Sequence, residues 1–168
     1  VRRLVGSEMC IRDRFNINAI SGHSSFKNIV PNTTWVKKRS KIVETKSKDY
    51  TKKKIAANVV TLDDYVLKNN IENIDILKID TQGFEDKVLL GAQKTLKENK
   101  IKLIQLELIF SEVYENPLQI YDVEKTLIPN NYKLFCISNS GSLISHYLYQ
   151  SEFIYVSLDT YKKFKINS

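Results

Sequence analysis

The stretch Lys78-Ile79-Asp80-Thr81-Gln82-Gly83-Phe84-Glu85 constrains this chain more than any other part of it. An apolar run, Ile74-Asp75-Ile76-Leu77, leads into it, and an amphipathic helical pattern leads out. A strand that stops on an acid, turns through a glycine and enters a helix is the edge of an open α/β sheet. In such sheets ligands bind outside the carboxyl ends of the strands. Asp80 stands at that edge.

The flanking patterns extend this local picture. Residues 15–20 alternate around Ile17 and Ala19 and predict a strand, with a turn at Ser21-Gly22 and a short partner strand over 25–30. Residues 58–61 predict an extended entry to a helix that Thr61 caps and that Asp63 and Asp64 suit at its positive end. Residues 75–80 read as a buried, near-continuous apolar strand of the kind parallel sheets use. Phe84, Val88, Leu89, Ala92 and Leu96 recur at helical spacing, and Gly91 splits that segment into two short helices. A second buried strand follows over 101–110, then a helix over 118–128 closed by Pro129 and Asn130-Asn131. Residues 132–138 and 153–158 predict two closing strands, joined by a polar, Ser-rich connection. Alternation of strand and helix argues for a mostly parallel sheet with helices on its faces, and the closing pair for an antiparallel hairpin at one edge.

Length and composition set the remaining bounds. A chain of 168 residues suits one domain with a core of its own, and 42% hydrophobic with 27% charged residues reads as globular. No apolar run approaches the roughly 20 residues that span a bilayer, so no membrane partner is expected. Cys10 and Cys136 form no disulfide framework, which points to a reducing, cytoplasmic setting. The net charge of +7 is uneven in origin: Arg2, Arg3, Arg12 and Arg14 crowd the first 14 residues, whereas later basic residues are lysines apart from Arg39. The string Val5-Gly6-Ser7-Glu8-Met9-Cys10-Ile11-Arg12-Asp13-Arg14 resembles a translated sequencing-adapter scar, a reading favoured over a genuine basic N-terminal arm. On this reading residues 1–14 are non-native, 15–160 form the domain, and 161–168 are a tail.

The residues in the central block carry a family resemblance. Val60-Thr61-Leu62-Asp63-Asp64-Tyr65, the run from Ile74 to Glu85, and Val88-Leu89-Leu90-Gly91-Ala92 resemble the FkbM-type S-adenosylmethionine-dependent methyltransferases. Leu106-Glu107, Tyr114-Glu115, Phe153-Ile154-Tyr155-Val156 and, upstream, Ala19-Ile20-Ser21 extend the likeness from about residue 15 to 158. The resemblance implies the C-terminal part of a class I, Rossmann-like methyltransferase sheet whose N-terminal strands are missing. It also implies S-adenosylmethionine as cofactor of the full-length protein and a small-molecule acceptor, with a saccharide among the candidates, methylated on oxygen. The glycine-rich cofactor motif of that family has no counterpart here. Only five glycines occur and none is spaced G-x-G, so the cofactor-binding residues are unassigned and the chain is expected to be an inactive fragment by itself.

Within this frame Asp80 and Glu107 are the candidate catalytic residues, and Gln82, Gly83 and Glu85 shape the substrate edge. Asp80 either orients an acceptor hydroxyl and assists its deprotonation, or caps the helix that follows. Glu85 equally suits a site role or the positive end of that helix. Lys78 and Glu107 are charges inside apolar strands; Glu107 is expected either to pair with Lys78 or to face the cleft.

The lysines from Lys37 to Lys54 fall in a segment, 32–57, read as a long mobile loop. An alternative function is a basic nucleic-acid-binding module centred on 37–54, but aromatic interleaving is limited to Trp35 and Tyr50, and a solvated loop is favoured. His23 and His146 are isolated and suggest no metal site.

Overall fold

The computed structural model describes residues 11–141 and 148–166. Cys10, His146 and most of the Ser-rich connection lie outside the described residues. Six strands and six helices follow in the order β1 (Ile11–Asn18), α1 (Thr34–Ile42), β2 (Thr51–Val59), α2 (Leu62–Lys68), β3 (Ile74–Ile79), α3 (Glu85–Leu90), α4 (Gln93–Lys97), β4 (Ile101–Ile109), α5 (Ile120–Leu127), β5 (Tyr132–Gly141), β6 (Gln150–Ser157) and α6 (Leu158–Ile166).

The strands divide into two sheets. β1 and β2 form an antiparallel ribbon, while the other four are ordered β3-β4-β6-β5. Only β3 and β4 run parallel; β6 is antiparallel to both its neighbours. The expectation of a mostly parallel sheet is therefore corrected: β1 stays out of it, and β6 inserts between β4 and β5. The architecture is mixed α/β. β1 begins at Ile11 and pairs with β2 from Ile11↔Val59 onward, so residues 11–14 belong to a strand continuous with the rest.

β1 also inverts the expected facing. Its buried side chains are Asn16 and Asn18, not the apolar alternate set. Asn16 Nδ2 donates to the Lys27 carbonyl at 2.8 Å, and Asn18 Oδ1 accepts from Thr51 Oγ1 at 2.8 Å. Hydrogen bonds of this kind make polar burial tolerable. Residues 25–30 form no strand; they contribute isolated bridges, Asn16↔Ser25 and Ile29↔Tyr114.

The lysine-rich segment is not a mobile loop. Thr33 caps α1, its Oγ1 accepting from Val36 N at 3.3 Å, and α1 buries Trp35 and Val36. Lys52, Lys53 and Lys54 lie exposed along β2. Trp35 and Tyr50 are buried with Ile29, Val36, Ile109, Val113, Tyr114 and Tyr149 in a core cluster of their own, not displayed between the lysines. Residues 161–166 of the segment read as a tail belong to α6.

The main core lies on one face of the four-stranded sheet. Ile79, Leu106, Leu108, Phe153 and Tyr155 meet Leu89 and Leu96 from α3 and α4, and Val123 and Leu127 from α5. On β3 the opposite face is open: Ile76 is 62% exposed, and Lys78 and Asp80 are exposed beside it. β3 is thus an edge strand with a single buried residue, Ile79, rather than the two-sided buried strand its apolar run suggested. An apolar run is compatible with either placement, because burial depends on neighbours that periodicity does not specify.

Candidate active site

β3 delivers the backbone to the sheet edge at Ile79, and α3 does not begin until Glu85. The turn between them holds two successive residues in the left-handed region, Gln82 at φ 56° and Gly83 at φ 94°. Glycine suits this conformation at no steric cost; glutamine needs outside support. Three groups supply it. Glu85 Oε1 accepts from Thr81 N at 3.0 Å, Thr81 Oγ1 at 3.1 Å and Gly83 N at 3.2 Å. Ser25 Oγ donates to the Gln82 carbonyl at 2.9 Å. Tyr114 Oη lies 3.0 Å from both Gln82 Oε1 and the His23 carbonyl.

Asp80 does not cap α3: Phe84 occupies that position and makes no side-chain cap bond. Asp80 Oδ1 instead accepts from Gln82 Nε2 at 2.9 Å. The same Nε2 reaches Glu107 Oε2 at 3.5 Å. One amide thus sits between the two candidate carboxylates, oriented by the tyrosine on its oxygen. The other Glu107 oxygen, Oε1, accepts from Gln150 Nε2 at 2.7 Å.

The parallel register explains this convergence. Lys78 lies opposite Gln105 and Ile79 opposite Leu106, so continuing the ladder sets Asp80 against Glu107. Lys78 is exposed and, among the described residues, forms no salt bridge, so the expected Lys78–Glu107 pair is absent and Glu107 faces the edge instead. Burial raises the Glu107 carboxyl pKa above the usual range, helped by the charges of Asp80, Glu152 and Glu85. Glu85 is raised as well, by burial, against the lowering effect of its hydrogen bonds to the turn. Burial likewise raises the Tyr114 hydroxyl well above its ordinary value, keeping it a neutral hydrogen-bond donor.

Sequence reasoning named Asp80, Gln82, Gly83, Glu85 and Glu107 as candidates, and the structure places all five in and around the turn after β3 and the end of β4. It missed Ser25, Thr81, Tyr114 and Gln150. Tyr114 arrives on the loop after β4 and Gln150 begins β6, so neither had a sequence neighbour pointing to it. His23 is not isolated: its Nδ1 is 2.7 Å from Tyr50 Oη, and burial lowers its pKa, with Arg39 adding to the effect. Among the described residues no three His, Cys, Asp or Glu side chains converge as a metal site would require.

The edge is open. Two surface clefts, of about 530 and 230 Å³, are lined by Phe110, Gln119, Ile120, Tyr121 and Leu148, and by Trp35, Lys38, Arg39 and Ile42. Asp80, Gln82 and Glu107 line neither. Gly22, Gly83 and Gly91 offer no cradle for S-adenosylmethionine: a Cβ at Gly83 would meet Lys27 Cδ at 3.3 Å and Tyr114 Cδ2 at 3.5 Å, one at Gly91 would meet Thr61 Cβ at 3.4 Å, and Gly22 faces open space. The described residues do not by themselves fit that group.

A mixed α/β sheet with paired carboxylates beyond the end of a parallel strand is consistent with a methyltransferase-like fold. The family model of the methyltransferase FkbM domain matches residues 9–134, well over half of the chain, and the chain belongs to that family. The match includes Asp80, Gln82, Gly83, Glu85, Glu107 and Tyr114. It begins before residue 15 and stops short of β6. No curated protein and no solved structure matches the chain.

Proposed function

We propose that this chain contributes the acceptor side of an S-adenosylmethionine-dependent methyltransferase acting on a hydroxyl of a small molecule, a saccharide being one such acceptor. The observation that carries the proposal is the single Gln82 amide held between Asp80 and Glu107 at the carboxyl edge of β3 and β4. An acceptor hydroxyl donates its hydrogen bond to one of these carboxylates. That carboxylate is placed to take the proton that such a hydroxyl must lose on methylation. Glu107 suits this proton better, because a carboxyl raised toward neutrality is a stronger base than an ordinary one. Asp80, exposed and bonded to Gln82, serves to orient the hydroxyl.

The test is an NMR titration of the chain with hydroxylated small molecules, saccharides included, alongside their O-methyl ethers. Free hydroxyls are expected to shift the Asp80, Gln82, Gly83 and Glu107 signals, with the shifts lost in Asp80→Asn. Shifts confined to residues remote from this edge, or identical for the ethers, would refute the assignment.

A further inference from the structure

The turn that presents Gln82 depends on one buried side chain. A non-glycine residue keeps a left-handed conformation only where its surroundings over-determine it. On either side of Gln82 the turn is held by Glu85, which is 1% exposed. Its Oε1 takes all three hydrogen bonds from the turn, two from Thr81 and one from Gly83. Its Oε2 is buried and has no hydrogen-bond partner. A carboxylate present only to favour the positive end of α3 could do so from an exposed position, without giving up its hydration. Burial of a carboxyl is tolerated where hydrogen bonds replace its hydration; here Thr81 and Gly83 supply three of them, beside one from the Glu85 backbone N–H.

We propose that Glu85 is a positioning residue: it clamps the Thr81–Gly83 turn and so holds the Gln82 amide between Asp80 and Glu107. Describing those carboxylates as an acceptor site rests on the function proposed above, whereas the clamp itself does not. Since Oε1 carries every bond, a glutamine at position 85 retains the clamp and a leucine abolishes it.

Backbone amide exchange and carboxyl titration, both by NMR on the full chain, separate these cases. In Glu85→Leu the Thr81 and Gly83 amides are expected to exchange at least about tenfold faster, the consequence of losing a hydrogen bond to a carboxyl group. Amides at the centres of β4 and β6 should keep their rates. In Glu85→Gln exchange should stay within about twofold of the parent, because the accepting oxygen remains. The Glu107 titration midpoint should differ between the leucine and glutamine variants. Both remove the charge at position 85, so a difference reports the position of Gln82. Thr81→Val keeps the shape of the turn and deletes one donor; it is expected to speed exchange at Thr81 and Gly83 by a smaller factor, and it decides the matter should Glu85→Leu not fold. Unchanged exchange in Thr81→Val, glutamine behaving like leucine, or identical Glu107 midpoints in those two variants would each overturn the clamp. None of these readouts involves methyl transfer. A failed acceptor titration with the expected exchange pattern would therefore remove the functional reading and leave the clamp standing.

Discussion

Glu107 is half-buried, accepts one hydrogen bond from Gln150 and lies within reach of a second from Gln82. Replacing it by glutamine keeps the shape and removes the base. On the function proposed above, Glu107→Gln is expected to lower the methyl-transfer kcat by about 10²–10⁴-fold, the usual range for a positioned acid–base group. An unchanged kcat would assign the proton to another group. The same residue leaves a mark on stability. Its native pKa is raised, so the folded state holds a proton that the unfolded chain releases. The contribution is fully present below the ordinary glutamate pKa and is lost as pH rises through the raised native value. Glu85 acts in the same sense, whereas His23, whose pKa is lowered, acts in the opposite one. Only a difference between proteins isolates the effect. The urea midpoint of the parent minus that of Glu107→Gln is expected to fall as pH rises from acid toward neutrality, and a flat difference would contradict the raised pKa.

The elements show which local signals carry structural weight. Thr61 caps α2, accepting from Asp64 N at 3.0 Å, as its place before the helical pattern indicates. Asp63 belongs to a different helix in effect. Its carboxylate accepts from Lys94 N at 3.0 Å, Thr95 N at 2.8 Å and Thr95 Oγ1 at 2.6 Å, binding the start of α4 to α2. Asp63→Ala strands the buried Thr95 hydroxyl and is expected to cost about 1–3 kcal/mol, against about 1 kcal/mol for Thr61→Ala. Equal losses in urea unfolding would argue against this inter-helix role. Gly91 does separate α3 from α4, and Asn131 does adopt the left-handed conformation, at φ 63°. Both were legible because the requirement is local. Gly83→Ala meets a positive φ as well as the close approach of Lys27 and Tyr114, and is expected to destabilise the chain by about 1–2 kcal/mol. Less legible was the segment 32–57, where exposed lysines blur the pattern. Its buried apolar positions, Trp35, Val36 and Tyr50, are few and belong to a core built mainly from other parts of the chain.

At the scale of the whole molecule, two cores meet where the site lies. The main cluster packs helices on one face of the sheet; the second joins α1, the loop after β4 and Tyr149. Tyr114 belongs to the second cluster and bonds Gln82 at the end of β3, so the edge residues are held from both sides. Neither of the two surface clefts described above is lined by Asp80 or Glu107, and no described glycine opens a cradle. Isothermal calorimetry of this chain with S-adenosylmethionine is accordingly expected to show no binding tighter than about 100 µM, an affinity of roughly −5.5 kcal/mol. Micromolar binding would mean that an open edge suffices to hold it.

The amino-acid sequence alone determined where most strands and helices fall in the C-terminal two thirds, where they break, and which acid stands at a strand end. Those properties follow from periodicity, capping and turn chemistry acting over a few residues. Tertiary structure decided that β1 pairs with β2 outside the main sheet, that β3 has an open face, and that Glu107 comes opposite Asp80 rather than to Lys78. It also decided that Glu85 turns inward to hold the loop. Register and burial arise from contacts between segments far apart in the chain, and no local pattern encodes which segments will meet.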